Sequence, residues 1–453
     1  MKKVAVIGAG FTGLTAAYEL SKKGFEVTVF EKSTDIGGLA GGFTLQGASL
    51  EKAYHHLFKS DTDILKLIAE LGLREELKWF ESKVGMIVRE KDSSGQITSR
   101  TLPFNGVKDL LFYKPLSFFN RLRAGAVLFF LQKFTLWEML IATPAATWMK
   151  KASGMQVMEK IWTPLLSGKF AHFAEKVSMA WLWARIHIRA NSRTSIFEKE
   201  LLAYPRNGFH SIAKKLAEQI AQLQNKKEQD VIKTTTTIEK IAYNDDGTAE
   251  LYIDKKKHSF DAIVATIPAK AFSALIAPEA QQKLDLNKKV IDYLGAVVLV
   301  FTSSQSLSKF YWHTITDTTA PFLVFLQHTN LVPTSWYNGQ QVYYIGVYIP
   351  HEHRYFSPEM TPEKIQKEWF SYVKQVFHEF DENKIAEAHL FKFPFAQHVV
   401  DTAYPEKILP YKLPLPHTYL ANFSQIFPED RGTNYAVREG KKIADLVAEE
   451  LLQ

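Results

Sequence analysis

Cysteine is the one residue type missing from this chain of 453 residues. Without thiols the protein can form no disulfide, no thiolate metal site and no redox dithiol, so any redox chemistry must come from a bound cofactor. The start Met1-Lys2-Lys3-Val4 resembles a signal peptide, but glycines soon break the apolar stretch that follows it. We therefore expect a cytoplasmic protein rather than an exported one.

Dense basic blocks and known nucleic-acid-binding modules are also missing, so nucleic acid is not an expected partner. The net charge of +7 suits an anionic cofactor or substrate, an acidic membrane surface, or simply a basic surface. No Ser–His–acid arrangement and no set of metal ligands stands out, and we expect no metal site. Chemistry is therefore expected to come from an organic cofactor.

The bulk composition is that of a globular protein with two domains or one large two-lobed body. Hydrophobic residues make up 46% and charged residues 23% of the chain, as in ordinary folded proteins. A chain of this length exceeds a single ordinary core. We find no internal repeat and no low-complexity tail.

The most informative motif is Val4-Ala-Val-Ile-Gly-Ala-Gly-Phe-Thr-Gly13, an apolar strand that breaks into a glycine-rich turn. A helical stretch follows over 14–23, then a strand over 26–30 that ends in Glu31. The glycines Gly8, Gly10 and Gly13 have dinucleotide-binding spacing, which allows a tight turn, the approach of a pyrophosphate and close helix packing. Free N–H groups at the helix start favour phosphate, and Glu31 is placed to bind a ribose.

Further elements of this kind recur in separated pieces of the chain. Residues 35–42 contain repeated glycines, the strand over 261–266 is continuously apolar, and a strand over 418–422 precedes a helix over 435–452. Two strands over 82–102 are expected to join at the turn 92–95. We expect one domain from residues 1–80, 200–270 and 400–453, and a second from residues 81–199 and 271–399.

These motifs, in this order, resemble the FAD-dependent amine oxidase superfamily, which includes protoporphyrinogen oxidases, phytoene-type desaturases and UDP-galactopyranose mutases. The resemblance rests on the glycine turn, Gly37-Gly38-Leu39-Ala40, Ile238-Glu-Lys-Ile241, the strand 261–266 and the closing helix. It implies an α/β fold with a discontinuous Rossmann-like FAD-binding domain and a second α+β substrate-binding domain. The central segment 161–170 is most similar to protoporphyrinogen-oxidase-like proteins.

The resemblance also implies which residues hold FAD. Those at the pyrophosphate and adenosine are Gly8, Gly10, Phe11, Thr12, Gly13, Glu31, Lys32 and Ile238. Those along the path to the flavin are Gly38, Leu39, Ala40, Ala265, Thr266, Asn422, Thr433, Asn434 and Tyr435. Two positions depart from the family pattern: Leu39 stands where many relatives carry Arg, and Ala421-Asn422 replaces the usual Gly-Asp that bonds the ribityl chain.

Five residues are candidates for the chemistry. His56 resembles a histidine that lies against the flavin in the mutases and could titrate near neutrality, although packing explains it equally well. Lys169 could place a cation near the flavin or an anionic substrate. Arg185 and Arg189 share one helix face and could clamp a carboxylate or phosphate, or form a solvated basic face. Tyr404, like Tyr435, could present an aromatic ring to substrate or simply pack.

Segment 108–137 interleaves phenylalanines with basic residues. Such a mixture is typical of a helix that lies on a membrane, and it is equally typical of the apolar core of a substrate domain, which we favour. Its uncharged run Ala124–Gln132 is far shorter than the about 20 residues needed to cross a bilayer.

The leading functional prediction is an FAD-dependent oxidoreductase that takes hydride from a substrate C–H onto the flavin N5. The substrate is expected to be a small molecule, and the basic residues favour an anionic one. Two alternatives remain: a flavin-dependent isomerase resembling UDP-galactopyranose mutase, with no net redox change, and a non-catalytic flavin-bearing protein.

Overall fold

The computed structural model describes residues 1–91, 97–192, 199–286 and 289–452. The predicted turn at 92–95 lies outside these residues. The strands are β1 (Lys3–Ile7), β2 (Glu26–Phe30), β3 (Gly42–Leu45), β4 (Ala48–Glu51), β5 (Leu57–Phe58), β6 (Leu77–Glu81), β7 (Val84–Lys91), β8 (Ile97–Pro103), β9 (Leu201–Pro205), β10 (Ile232–Lys233), β11 (Lys240–Tyr243), β12 (Ala249–Ile253), β13 (Lys256–Phe260), β14 (Ala262–Ala265), β15 (Tyr293–Ser303), β16 (Trp312–Ile315), β17 (Val324–Gln327), β18 (Gln341–Ile349), β19 (Ile385–His398) and β20 (Thr418–Leu420).

The helices are α1 (Phe11–Lys22), α2 (Thr62–Glu70), α3 (Val107–Leu111), α4 (Phe118–Lys133), α5 (Ala145–Ser153), α6 (Met155–Val157), α7 (Thr163–Phe170), α8 (Met179–Asn191), α9 (Gly208–Leu223), α10 (Glu228–Val231), α11 (Ala269–Ser273), α12 (Pro278–Lys283), α13 (Pro362–Val376), α14 (Tyr404–Lys407) and α15 (Thr433–Leu451). A π-helical stretch, Met158–Trp162, joins α6 to α7.

A parallel sheet with the strand order β10-β2-β1-β14-β20 forms the first domain. The inner strands β1, over Val4–Ile7, and β14 are apolar on both faces because both faces of the sheet are covered. Helices α1, α9 and α15 pack on one face. The antiparallel sheet β11-β12-β13 packs on the other, through residues such as Ile241 and Leu251. This is the predicted α/β arrangement.

A second sheet has the order β19-β15-β18-β17-β16-β7-β8. Successive residues of β15 point to opposite faces. Val297 and Leu299 pack against α13, whereas Val298 and Val300 join the core of the first domain. This second face of the sheet therefore meets the parallel sheet's domain, and the candidate site lies at that junction.

A helical lobe built from α3 to α8 packs around its own core, which includes Trp162, Phe170 and Trp181. Among the described residues, no helix combines the length and the apolar character needed to cross a lipid bilayer.

Helix α4 differs from the core helix that the sequence favoured. Ala124 and Leu131 are its buried residues, while Phe118, Phe119 and Phe129 are exposed. The prediction of a core helix is therefore wrong for most of its aromatic side chains. Apolar composition alone does not determine which face of a helix is covered.

Candidate functional site

Two glycines of the first turn are required by the protein's own packing. Gly8 has a φ of +104°, a conformation that other residues rarely adopt. A Cβ on Gly13 would lie 1.9 Å from the carbonyl oxygen of Gly8. Any larger residue at these positions would therefore force the strand and helix apart.

Gly10 is different, because the protein leaves room beside it. An added Cβ there would meet only the Cα of Gly38, at 3.9 Å, and the φ of −74° suits any residue. No side chain caps α1, and its first turn, which holds Phe11 and Thr12, has no acid. The open space and the uncapped N–H groups fit a phosphate group.

The second glycine turn lies directly against the first. The N–H of Gly37 donates to the carbonyl oxygen of Ala9 at 2.8 Å. Gly38 is exposed beside Gly10, Leu39 is half-buried, and Ala40 is buried. Gly38 and Leu39 can therefore reach a ligand at Gly10, while the side chain of Ala40 packs in the core.

The carboxylate of Glu31 lies at the end of β2. It accepts hydrogen bonds from the N–H groups of Ala9 and Ser33, at 2.9 and 2.8 Å. The carbonyl oxygen of Glu31 accepts the N–H of Thr236 at 2.8 Å, which brings the segment of the buried Ile238 to the same corner. Lys32 is exposed there. The ribose and adenine roles of these residues stay predictions.

Ala265 and Thr266 pack against the glycine turn that contains Gly8. The hydroxyl of Thr266 donates to the carbonyl oxygen of Ile7 at 2.9 Å, and its oxygen would lie 2.8 Å from a Cβ on Gly8. Ala265 is fully buried. Both residues therefore support the glycine turn that the cofactor would contact.

Helix α15 supplies a second uncapped helix start, preceded by the extended Gly432. It packs closely on α1, since a Cβ on Gly440 would lie 2.7 Å from the carbonyl oxygen of Thr12. The side-chain oxygen of Asn434 accepts the N–H groups of Asp63 and Ile64, at 2.9 and 3.2 Å. Its side chain thus caps α2, while Thr433 and Tyr435 remain half-buried.

Two other predicted residues, Asn422 and Tyr404, are buried and hydrogen bonded within the protein. The amide of Asn422 donates to the carbonyl oxygen of Ile267 at 2.9 Å, and its oxygen accepts from Ser424. Its role at a ribityl chain stays a prediction. Tyr404 is fully buried and donates its hydroxyl to the carbonyl oxygen of Ser424 at 2.6 Å. The expectation that Tyr404 faces substrate is therefore wrong.

The buried carboxylate of Asp430 forms ion pairs with two of the predicted cations, Lys169 and Arg185. Lys169 on α7 places its Nζ 2.7 Å from Oδ2 of Asp430, and Arg185 on α8 bonds the same oxygen. The indole N–H of Trp181 donates to the other oxygen at 3.4 Å. Arg185 is consequently paired with the protein's own acid and is not part of a solvated basic face.

Arg431 extends this arrangement toward the second sheet. Its guanidinium donates to the hydroxyl of Tyr348 at 2.8 Å and to the side-chain oxygen of Gln397 at 3.1 Å. Tyr348 is hydrogen bonded in turn to Tyr54. We call Lys169, Arg185, Asp430, Arg431 and Tyr348 the Asp430 cluster.

His56 lies near Tyr54, beside the Asp430 cluster. The ring of Trp312 contacts both Tyr54 and His56, at centroid distances of 5.1 and 6.1 Å. The Nδ1 atom of His56 lies 3.1 Å from the hydroxyl of Tyr311. Burial, together with the charges of Arg189 and Arg185, lowers the pKa of His56 to about 3. His56 is therefore neutral at pH 7 and does not titrate near neutrality as expected.

In the Asp430 cluster, the neighbouring cations together affect the pKa values of Asp430 and Tyr348 more strongly than burial does. Burial alone would raise the pKa of Asp430, but Lys169, Arg185 and Arg431 hold it well below its ordinary value. Burial likewise opposes ionisation of Tyr348, yet Arg431 and Lys169 lower the pKa of this phenol. Three cations face one carboxylate, so the site has an excess of positive charge.

A model of the flavin-containing amine oxidoreductase family matches residues 11–407 of the chain. This protein belongs to that family. FAD is accordingly its cofactor, and it is an FAD-dependent oxidoreductase. The open space at Gly10 and the uncapped start of α1 fit the cofactor's diphosphate.

Two curated relatives share short segments with this flavoenzyme. Protoporphyrinogen oxidase 2 of Arabidopsis thaliana is 36% identical over 89 residues, which are 19% of this chain and 18% of that protein. The zeta-carotene desaturase of Arabidopsis thaliana is 28% identical over 130 residues, 28% of this chain and 23% of that one. The matched segments thus span less than a quarter of these relatives.

Solved structures share the whole fold. An oxidoreductase from Methanosarcina mazei superposes with a TM-score of 0.72 at 15% identity and covers 98% of this chain and 100% of its own. Cyclohexylamine oxidase from Brevibacterium oxydans IH-35A gives a TM-score of 0.70 at 16% identity and covers 100% of both chains. The predicted fold class is confirmed, and identities this low show the fold alone.

Several residues of this flavoenzyme's site had been missed by the sequence prediction: Tyr54, Tyr348, Gln397, Asp430 and Arg431. Asp430 and Arg431 fall in the segment 428–435, which carries no recognisable motif beyond its position before the last helix. A charged Asp-Arg pair directly before that helix was the one available signal. Tyr348 could not be found, because an aromatic residue in an apolar strand is typical of any core.

Glu51 positions the wall that carries Tyr54 and His56. It is fully buried and accepts hydrogen bonds from the hydroxyl of Tyr204 and from the N–H of Phe209 at the start of α9. Its carbonyl oxygen accepts the hydroxyl of Tyr344 from the second sheet at 2.9 Å. Glu51 therefore joins three elements at the edge of the site.

Replacing Glu51 with Gln should remove one pH-dependent part of the stability. Burial raises the pKa of Glu51 from 4.5 to about 7. An acid whose pKa rises on folding stabilises the native state below pH 4.5, and this contribution is lost as the pH increases toward 7. Over that window we expect the free energy of unfolding of wild type to fall relative to Glu51→Gln by about 3 kcal/mol.

The measurement is urea unfolding of both holoproteins at several pH values between 4 and 8. Comparing the two proteins cancels the contributions of other titrating groups. Glu450→Gln is the matched control, because that acid is partly exposed and the pKa of Glu450 is lowered. A wild-type curve parallel to that of Glu51→Gln would contradict this assignment.

Proposed function

We propose that the enzyme oxidises a C–H bond of a small anionic molecule, next to nitrogen or within a carbon chain that becomes conjugated. The proposal rests on one observation: in the Asp430 cluster, three cations share a single carboxylate at the junction of the two domains. Two positive charges thus remain uncompensated within the cluster. A carboxylate or phosphate on the substrate would balance them.

When bound, FAD supplies the acceptor for the hydride. The protein's part is to bind, orient and enclose the substrate. Lys169 and Arg431 each lie over the ring of Tyr348, at 5.4 and 5.6 Å, so they form one cationic wall. A substrate anion held there would present its C–H bond from a fixed position.

Two uncharged groups could take part in proton handling. The phenol of Tyr348 has a lowered pKa and a hydrogen bond to Tyr54. Once this phenol has released its own proton, the resulting phenolate is the candidate to accept a proton from the substrate. His56 stays neutral above its pKa of about 3, so its ring can exchange a hydrogen bond with Tyr311 or a ligand without carrying charge.

The test is anaerobic bleaching of the oxidised flavin by pairs of molecules, each an acid and its methyl ester. The candidate acids carry a C–H beside nitrogen or in a partly conjugated chain. We expect an acid to bleach the flavin and its ester to be much weaker. Equal bleaching by both members of a pair would contradict the anionic substrate. Conversion of a sugar nucleotide only after dithionite reduction would favour the isomerase instead.

Lys169→Gln should weaken binding of the acid identified in this way. Losing one charged hydrogen bond is expected to raise KM about tenfold or more, while the flavin content stays that of wild type. Lys176→Gln is the control, because Lys176 is exposed and follows α7 closely in the chain. An unchanged KM for Lys169→Gln would remove this residue from the substrate site.

A further inference from the structure

Large apolar side chains are exposed together in one stretch of the helical lobe. Within the described residues, more than half of the large exposed apolar side chains fall in the short stretch 107–139. Phe119 is 81% exposed, Phe112 71% and Met139 71%. The others are Val107, Leu111, Phe118, Leu122, Phe129, Phe130 and Leu136. Isolated exposed apolar residues are ordinary, but a contiguous set marks an interaction surface.

On helix α4, five of these residues form one face. At 100° per residue, Phe118, Phe119, Leu122, Phe129 and Phe130 fall within about one third of the helix circumference. The buried residues Ala124 and Leu131 lie on the opposite side. The helix therefore has two apolar sides, one in the core and one toward solvent. We call the exposed residues of 107–139 the aromatic face.

Unpaired lysines border the aromatic face. Lys108, Lys114 and Lys133 are exposed, and within the described ranges none of them has a carboxylate within 4 Å. The nearby Asp109 is occupied by hydrogen bonds from Asn105. Glu138 is a second, exposed acid in this stretch, but Arg121 and Arg123 also lie there. Basic residues therefore outnumber acidic ones along the border.

We propose that the aromatic face docks on the surface of a bilayer that contains anionic phospholipid. Phenylalanine rings on a helix lying in the interface enter the boundary between head groups and acyl chains, while lysines beside them attract the anionic head groups. A second copy of this chain suits the surface less well, because a symmetric contact would bring the lysines of two copies together.

Docking here would bring the bilayer close to the helix that borders the candidate site. Trp137 stacks on Trp183 of α8 at a centroid distance of 6.2 Å. The indole N–H of Trp183 donates to the carbonyl oxygen of Phe134 at 2.9 Å. The same helix carries Arg185, which belongs to the Asp430 cluster.

The test is co-sedimentation of the holoenzyme with vesicles of phosphatidylcholine alone and with vesicles of equal parts phosphatidylcholine and phosphatidylglycerol. We expect wild type to bind the anionic vesicles more tightly. The test variant combines Phe118→Ser, Phe119→Ser and Phe129→Ser. Each of these three changes should weaken partitioning of the protein onto the anionic vesicles by about tenfold. The matched control changes three exposed apolar residues elsewhere: Trp79→Ser, Leu223→Ser and Leu452→Ser.

Charge is tested separately by Lys108→Gln, Lys114→Gln and Lys133→Gln. Each change should weaken binding to the anionic vesicles about fivefold and leave binding to neutral vesicles unchanged. The ratio of flavin to protein reports the integrity of every variant. Wild type that stays in the supernatant with both vesicles would overturn the proposal, as would equal losses in the aromatic and control triples. A dimer that disappears in the aromatic triple, without vesicle binding, would also overturn it.

Discussion

Replacing Gly10 with Ala is expected to weaken FAD binding by about ten- to a hundredfold while leaving the fold intact. The protein itself tolerates the methyl group, since its nearest contact would be at 3.9 Å and the φ of −74° suits alanine. The same space is where a diphosphate must approach the main chain. Crowding there should cost about 1–3 kcal/mol of binding free energy. Equilibrium dialysis of the flavin measures the change.

Two further glycine variants distinguish this reason from a general loss of structure. Gly13→Ala places a Cβ 1.9 Å from the carbonyl oxygen of Gly8 and should lower the yield of folded protein. Gly125→Ala has open space within 4 Å and should retain wild-type affinity. If Gly10→Ala kept full affinity, the diphosphate would have to lie elsewhere.

The parallel sheet was predictable because its signals are local. The strand Glu26–Phe30 has the predicted bounds, since turn residues flank a short apolar run. The long strand Ile385–His398 was not predicted. Residues 386–389 and 391–395 do alternate, but the adjacent apolar residues Leu390 and Phe391 shift the phase of the pattern between them. Pro394 also argues against a strand.

The site was only partly predictable because its contacts join distant segments. The glycine turn lies within one local unit, so its spacing reveals its role. Asp430, in contrast, meets Lys169 and Arg185 through packing of the helical lobe against the loop before α15. No local pattern records such a pairing, and a basic pair on a helix is equally consistent with a solvated face.

The site has two regions that favour anions, the glycine turn at α1 and the Asp430 cluster. Main-chain N–H groups provide the first, and charged side chains provide the second. The diphosphate of FAD would be bound by the uncapped start of α1, which needs no lysine or arginine. The cations of the Asp430 cluster are therefore not needed to neutralise the cofactor's phosphates. Under the proposed function, their excess charge is available for the anionic group of the substrate.

Asp430→Asn should convert the cluster into a site that requires an added anion for stability. Lys169, Arg185 and Arg431 would then be left without their shared carboxylate in a buried setting. Removing one partner of a buried ion pair typically destabilises a protein by about 3–5 kcal/mol. Inorganic phosphate should restore much of this loss, because an anion that binds only the folded state stabilises it in proportion to its occupancy.

The thermal midpoint of the holoenzyme in phosphate, compared with sodium chloride of equal ionic strength, measures this rescue. Asp317→Asn is the matched control, since Asp317 pairs with Arg89 at 3.0 Å and is partly buried away from the cluster. Screening by salt would affect both variants alike. A specific recovery of Asp430→Asn would show that the cluster accepts an external anion. If phosphate raised both midpoints equally, the excess charge would have no binding role.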